Sequence, residues 1–101
     1  MNETFKLTLG KDTYDVYIVK GTYPNGQMAV KLKEEFGMPF ATLSVNLDIS
    51  CAEGCFWAKT WSENAPIRDQ LLASGRFKDT GERYPTGYVL AELWELVEKG
   101  D

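Results

Sequence analysis

The sequence predicts an α+β fold: a curved, mainly antiparallel sheet of five to seven short strands, one helix over about residues 65–74, and a short helix at the C-terminal end. Three features carry that expectation. Apolar and polar residues alternate in short runs, the period of strands with one buried face. Gly, Pro and Asn separate those runs as hairpin turns do. One stretch, with Ile67, Leu71 and Leu72, instead repeats at helical spacing and ends on a glycine.

In residues 4–9, Phe5, Leu7 and Leu9 fall on one side and Thr4, Lys6 and Thr8 on the other, giving a half-buried strand. Gly10-Lys11-Asp12 is a turn signal. Tyr14, Val16 and Ile18 then alternate with Asp15, Tyr17 and Val19 to complete a hairpin. Residues 21–26 form a loop, whose Asn25-Gly26 pair is a strong turn former. A third strand turns Met28, Val30 and Leu32 inward and Gln27, Lys31 and Lys33 outward. Gly37 and Pro39 interrupt the chain, residues 40–45 resume the alternation, and residues 46–54 read as a loop. Residues 55–61 form the fifth strand, with Trp57, Lys59 and Trp61 on one face and Phe56, Ala58 and Thr60 on the other. Ser62-Glu63-Asn64 offers capping side chains, Pro66 sits near a helix start where its missing N–H costs nothing, and Gly75 closes the helix in a left-handed conformation. Residues 76–78 suit a short strand, 79–87 a loop and 88–91 an extended segment. In residues 92–99, Leu93, Leu96 and Val97 fit one face of a terminal helix.

The chain of 101 residues fits one globular domain over 1–101, large enough for a core without staples. It is 44% hydrophobic and 26% charged, which argues against disorder. A net charge of −4 argues against a phosphate-neutralising surface, so nucleic acid is a disfavoured partner. No apolar run approaches the ~20 residues of a membrane span, and the first residues do not resemble a signal peptide, so a cytoplasmic location is expected. Histidine is absent, which excludes Ser–His and Cys–His nucleophile pairs within the chain. No glycine pattern matches a phosphate-cradling loop, and the adjacent Glu34 and Glu35 point to opposite faces of a strand. No catalytic residue, cofactor or metal is therefore expected, and the expected role is contact with a protein partner.

Cys51 and Cys55 lack the two further soft ligands that a zinc site needs. They read either as small thiols near the core or as a disulfide across the turn, which a reducing cytosol opposes. Trp57, Lys59 and Trp61 form either an aromatic binding platform or core bulk with a snorkelling lysine. Tyr23 with Asn25, and Tyr84 with Tyr88, stand beside turn formers and suit a contact surface, although structural turns explain the same residues. The partner-binding candidates are thus Tyr23, Asn25, Lys59, Trp61, Tyr84 and Tyr88. Glu92, Glu95 and Glu98, spaced every three residues, would line one side of a helix as an acidic stripe or simply a solvated face. An alternative function is single-stranded nucleic-acid binding, with Trp57, Trp61 and Tyr23 stacking bases beside Lys31, Lys33 and Lys59.

Several phrases also resemble a known family. They are Tyr23-Pro24-Asn25-Gly26-Gln27-Met28-Ala29-Val30, Pro39-Phe40-Ala41-Thr42-Leu43-Ser44-Val45-Asn46, Lys59-Thr60-Trp61-Ser62-Glu63-Asn64, Leu72-Ala73-Ser74-Gly75 and Pro85-Thr86-Gly87-Tyr88-Val89. In order and spacing over about residues 23–90 they resemble domain of unknown function 4313, small proteins of bacteria, phages, plasmids and conjugative elements. The resemblance implies a mobile-element setting and carries over no catalytic residue. Cys51, Cys55 and the acidic end lie outside its pattern.

Overall fold

The computed structural model describes residues 3–97. It is α+β, with seven strands in two antiparallel sheets and one 12-residue helical segment. Strands β1 (Phe5–Leu9), β2 (Asp12–Thr22), β3 (Met28–Glu34) and β4 (Pro39–Thr42) form a four-stranded meander in chain order. Strands β5 (Cys55–Ala58), β6 (Phe77–Thr86) and β7 (Val89–Leu96) form the second sheet in the order β5-β7-β6.

The chain just after β4 makes the corner between the sheets. The N–H groups of Leu43 and Ser44 donate to the carbonyl of Val30 in β3. On the other side, Val45 N–H donates to Trp57 C=O and Lys59 N–H to Leu43 C=O, which ties the same segment to β5. Ser44, 4% exposed, locks the corner: its hydroxyl accepts from Val30 N–H at 2.9 Å and meets the Tyr23 hydroxyl at 2.9 Å. The strands therefore divide into two sheets, the chain bending at Ser44 from one into the other, and neither sheet closes.

The concave side is the main core. Leu7, Val16, Val30 and Leu32 come from the first sheet, Phe56, Phe77, Trp94 and Leu96 from the second, and Ile67 and Leu71 from the helical segment. Phe56, Phe77 and Trp94 pack as a tilted and edge-on trio with centroids 5.7–6.2 Å apart. The predicted inward residues of the first three strands all belong to this core or pack against it.

The helix begins earlier than predicted, as a 3₁₀ turn over Ser62–Ile67 that contains Pro66 and runs into α1 (Arg68–Ala73). Ser62-Glu63-Asn64 does not cap it. Ser62 has φ of 59°, and Asn64 is buried, its amide donating to Thr42 C=O and Lys59 C=O at 2.8 and 2.9 Å. Asn64 spends its amide on these two carbonyls, at the ends of β4 and β5, instead of on the first turn of the helix. Gly75, with φ of 80°, ends the helix as expected. From α1, the Gln70 side-chain amide accepts from Thr8 N–H at 2.7 Å and donates to Thr8 C=O at 2.8 Å, standing in for a neighbouring strand along the open edge of β1.

Two predicted elements are corrected. The loop over 79–87 is most of β6, interrupted by a bulge where the register shifts between Asp79 and Arg83. Gly81 takes φ of 91° there, and Pro85 is tolerated because β6 is an edge strand. The terminal helix over 92–99 is instead β7 as far as Leu96; the remainder, from residue 98, lies outside the described residues. β7 is the central strand of its sheet and buries residues on both faces, Ala91 and Leu93 on one and Trp94 and Leu96 on the other, so its apolar residues do not keep to alternate positions.

Candidate functional site

The convex face of the second sheet carries a smaller cluster of Cys55, Trp57, Ala91 and Leu93. A strap over residues 45–54 covers it. Val45, Leu47, Ile49 and Cys51 pack against the sheet while Asn46, Asp48, Ser50 and Ala52 face solvent. Such alternation belongs to an extended chain, yet the strap has no strand partner along most of its length. Side chains hold it instead. Asn25 donates to Leu47 C=O at 3.3 Å, the Trp57 indole donates to Ile49 C=O at 3.3 Å, and the Gln27 amide donates to the same carbonyl.

Two open grooves flank the strap's end. One, of about 520 Å³, lies against the β2–β3 hairpin and is walled by Lys20, Asn25, Gln27, Glu53, Cys51 and Cys55. The other, of about 420 Å³, is walled by Ile49, Cys51, Trp57, Arg83, Tyr84 and Leu93. The Tyr84 ring sits 6.0 Å from that of Trp57.

Beyond this groove the distal half of the β6–β7 hairpin extends as an arm, paired from Arg83↔Glu92 to Thr86↔Val89 around a turn at Gly87 and Tyr88. Tyr84 is 40% exposed, Leu90 54%, and Tyr88 wholly exposed at the tip. Phe36 and Met38 form a second exposed apolar pair at the β3–β4 turn.

An ion-pair network roots the arm. Arg68 from α1 bonds both carboxylate oxygens of Glu92 at 3.0–3.1 Å through Nε. Arg83 holds both oxygens of Asp79 at 2.8 Å, and the Trp94 indole donates to Glu92 at 3.0 Å. Hydrogen bonds from Arg83 hold the Asp79 carboxyl below its ordinary pKa despite partial burial. Glu92 likewise holds the Arg68 guanidinium above its usual value.

The sequence candidates do not share one face. Asn25 borders the strap, Tyr23 is half-buried against Ser44, and Trp61 packs on the smaller cluster. Lys59 pairs with Glu63 at 3.0 Å, and that bond draws the Glu63 carboxyl down to about 2. Tyr84 and Tyr88 alone stand out from the body, on the arm. Trp57 is 5% exposed, so it is core and no platform. The acidic stripe is corrected too. On a strand, Glu92 and Glu95 point to opposite faces, Glu92 being tied into the ion-pair network and Glu95 facing solvent. Glu98 lies outside the described residues. Leu90 and the strap were missed by sequence reasoning; the period-two run Val45, Leu47, Ile49 and Cys51 was the available signal for the strap.

Among the described residues, no group of three or more Cys, Asp or Glu could hold a metal ion, and no helix is long and apolar enough to cross a membrane. Comparison with protein-family models, curated proteins and solved structures finds no match to this chain.

Proposed function

We propose that this protein is a small, non-enzymatic binding module that docks on another protein through its β6–β7 arm. The observation that supports this is a hairpin exposed on both faces, Tyr84 on one, Leu90 on the other and Tyr88 at the tip, with its base fixed by ion pairs. Tyrosines offer contact area at low entropy cost, because only two side-chain torsions are frozen. The resemblance to a mobile-element family extends the proposal to a cytoplasmic accessory role, with obstruction of a host defence complex as one form. A photo-crosslinking residue at position 88 tests the docking surface in a bacterial lysate. We expect a discrete adduct that excess wild-type protein competes away and the Tyr84→Ser/Tyr88→Ser/Leu90→Ser variant does not. Equal competition by both proteins would remove the arm from the interface.

One observation favours a second reading, single-stranded nucleic-acid binding, through two lysines of the expected basic track and without its aromatic platform. On the convex face of the first sheet Lys33 lies opposite Tyr17 and Lys31 opposite Val19 and Thr42, and no described residue forms an ion pair with either lysine. Fluorescence anisotropy of a labelled single-stranded oligonucleotide at low salt tests it. A rise abolished by Lys31→Ser/Lys33→Ser would support the reading, and no rise would end it.

A further inference from the structure

We propose that Cys51 and Cys55 form an oxidisable dithiol, a modification site at which a small-molecule disulfide such as oxidised glutathione closes the strap's end into a ring. The proposal does not depend on what the arm binds. The two thiols belong to one place. Both wall the groove against the β2–β3 hairpin, and both pack on the cluster that contains Trp57 and Leu93. The chain between them folds back in a turn closed by Cys55 N–H donating to Ala52 C=O at 3.1 Å. The Cys51 thiol already reaches the backbone of its partner residue, donating to Cys55 C=O at 3.4 Å. These are the only cysteines in the chain, so no competing internal pairing exists.

Their access differs in a way that orders the chemistry. Cys51 is half-buried at the strap's margin, whereas Cys55, 9% exposed, sits on β5 beneath it. Cys51 is therefore the attacking thiol and Cys55 the resolving one. The Cys51 thiol loses its proton to water and its sulfur attacks one sulfur of oxidised glutathione. The glutathione disulfide bond breaks, one glutathione thiolate departs, and Cys51 carries the other half as a mixed disulfide. The deprotonated Cys55 sulfur then attacks Cys51 Sγ and expels the second glutathione. Two protein thiols are oxidised to one disulfide, and one glutathione disulfide is reduced to two thiols. Burial pushes both thiols above their ordinary pKa, with Glu95 across the strand adding to the effect at Cys55. The reduced pair is thus a weak nucleophile toward bulk reagents, and proximity favours the second step over a second addition of glutathione. Closure would tie residue 51 of the strap covalently to β5 and narrow the groove that both thiols wall.

The test is to incubate the folded full-length protein with oxidised glutathione and follow its intact mass. The expected product is a monomer lighter by two hydrogens that dithiothreitol restores. Glu53 lies between the cysteines, so a glutamate-specific protease leaves them on separate peptides that remain joined only through the disulfide. Cys55→Ala is expected to stop at a single glutathione adduct on Cys51, and Cys51→Ala to react more slowly. The wild-type peptide map decides the matter even if a variant misfolds. Two free thiols, a glutathione on each cysteine, or a disulfide linking two chains would each overturn the proposal.

Discussion

Trp57→Ala is the sharpest perturbation of this structure, because the smaller cluster and the strap both rest on that ring. The side chain is 5% exposed, lies 6.0 Å from Tyr84 and donates its indole N–H to Ile49 C=O. Truncating a buried aromatic to alanine costs ~3–5 kcal/mol, the upper values applying where the cavity persists. Here the strap forms one wall of the site and has no strand partner to hold it back, so it can settle into part of the space. Ile49 C=O also keeps its bond from Gln27, so no buried acceptor is orphaned. The low end, about 3 kcal/mol, is therefore expected. Trp57→Phe keeps much of the ring but gives up the indole hydrogen bond and some area, for about 1–1.5 kcal/mol. The assay is urea unfolding followed by circular dichroism. With a slope of about 1.5 kcal/mol per molar urea, the alanine variant should shift the midpoint down by ~2 M and the phenylalanine variant by no more than about half of that. A shift below ~0.3 M for alanine, inside the ±0.5 kcal/mol typical of surface positions, would mean that the strap does not pack on this ring.

Ser44→Ala should cost ~1–3 kcal/mol in the same assay, because it strips the buried Val30 N–H of its partner and leaves the Tyr23 hydroxyl only its long bond to Ser44 C=O at the corner between the sheets. Gln70→Ala should cost only about 1 kcal/mol, since the edge of β1 can rehydrate, but hydrogen exchange at the Thr8 amide should accelerate while the amides of β3 stay protected. Tyr88→Ser and Leu90→Ser should leave the urea midpoint within the equivalent of ~0.5 kcal/mol, as their side chains already face water. Acid titration should show a loss tied to Asp79. Arg83 lowers its folded pKa below the ~3.9 of the unfolded chain, so the stabilisation is complete above that value and disappears as pH falls through the folded one. Asp79→Asn should flatten the fall in urea midpoint below about pH 4 and leave the slope between pH 5 and 7 unchanged.

What was legible in the sequence followed from one-sided burial. β1, β2 and β3 each have a core face and an open face, so their alternation named Leu7, Val16, Val30 and Leu32 as core directly. The helix was legible through Ile67 and Leu71 and through Gly75, but its 3₁₀ beginning was not, because Asn64 looked like a cap and is a tie to two backbone carbonyls at the ends of β4 and β5. β7 was misread for the opposite reason to the success of β1. It is sandwiched between β5 and β6 and buried on both faces, so Leu93, Trp94 and Leu96 erase the period that identifies a strand. β6 was hidden by Gly81 and Pro85, turn formers that here mark a bulge and an unpaired edge. The binding candidates scattered because adjacency in sequence carried no information about which sheet face, or which half of a hairpin, each aromatic would occupy.

Pro85 also bears on how the arm can work. β6 is the outer strand of its sheet, and an open edge is an invitation to add a further strand from another chain. Pro85 has no N–H to offer such a strand, and the bulge at Gly81 breaks the edge a few residues earlier. Strand addition is blocked along the stretch where Tyr84, Tyr88 and Leu90 are exposed. Recognition through the arm must then proceed by side chains inserted into a partner's pockets. In that mode, losing the Tyr88 ring should weaken binding far more than any change confined to the β6 backbone edge. A partner complex in which hydrogen exchange slowed at the outward amides of β6, with the tyrosines left exposed, would contradict it.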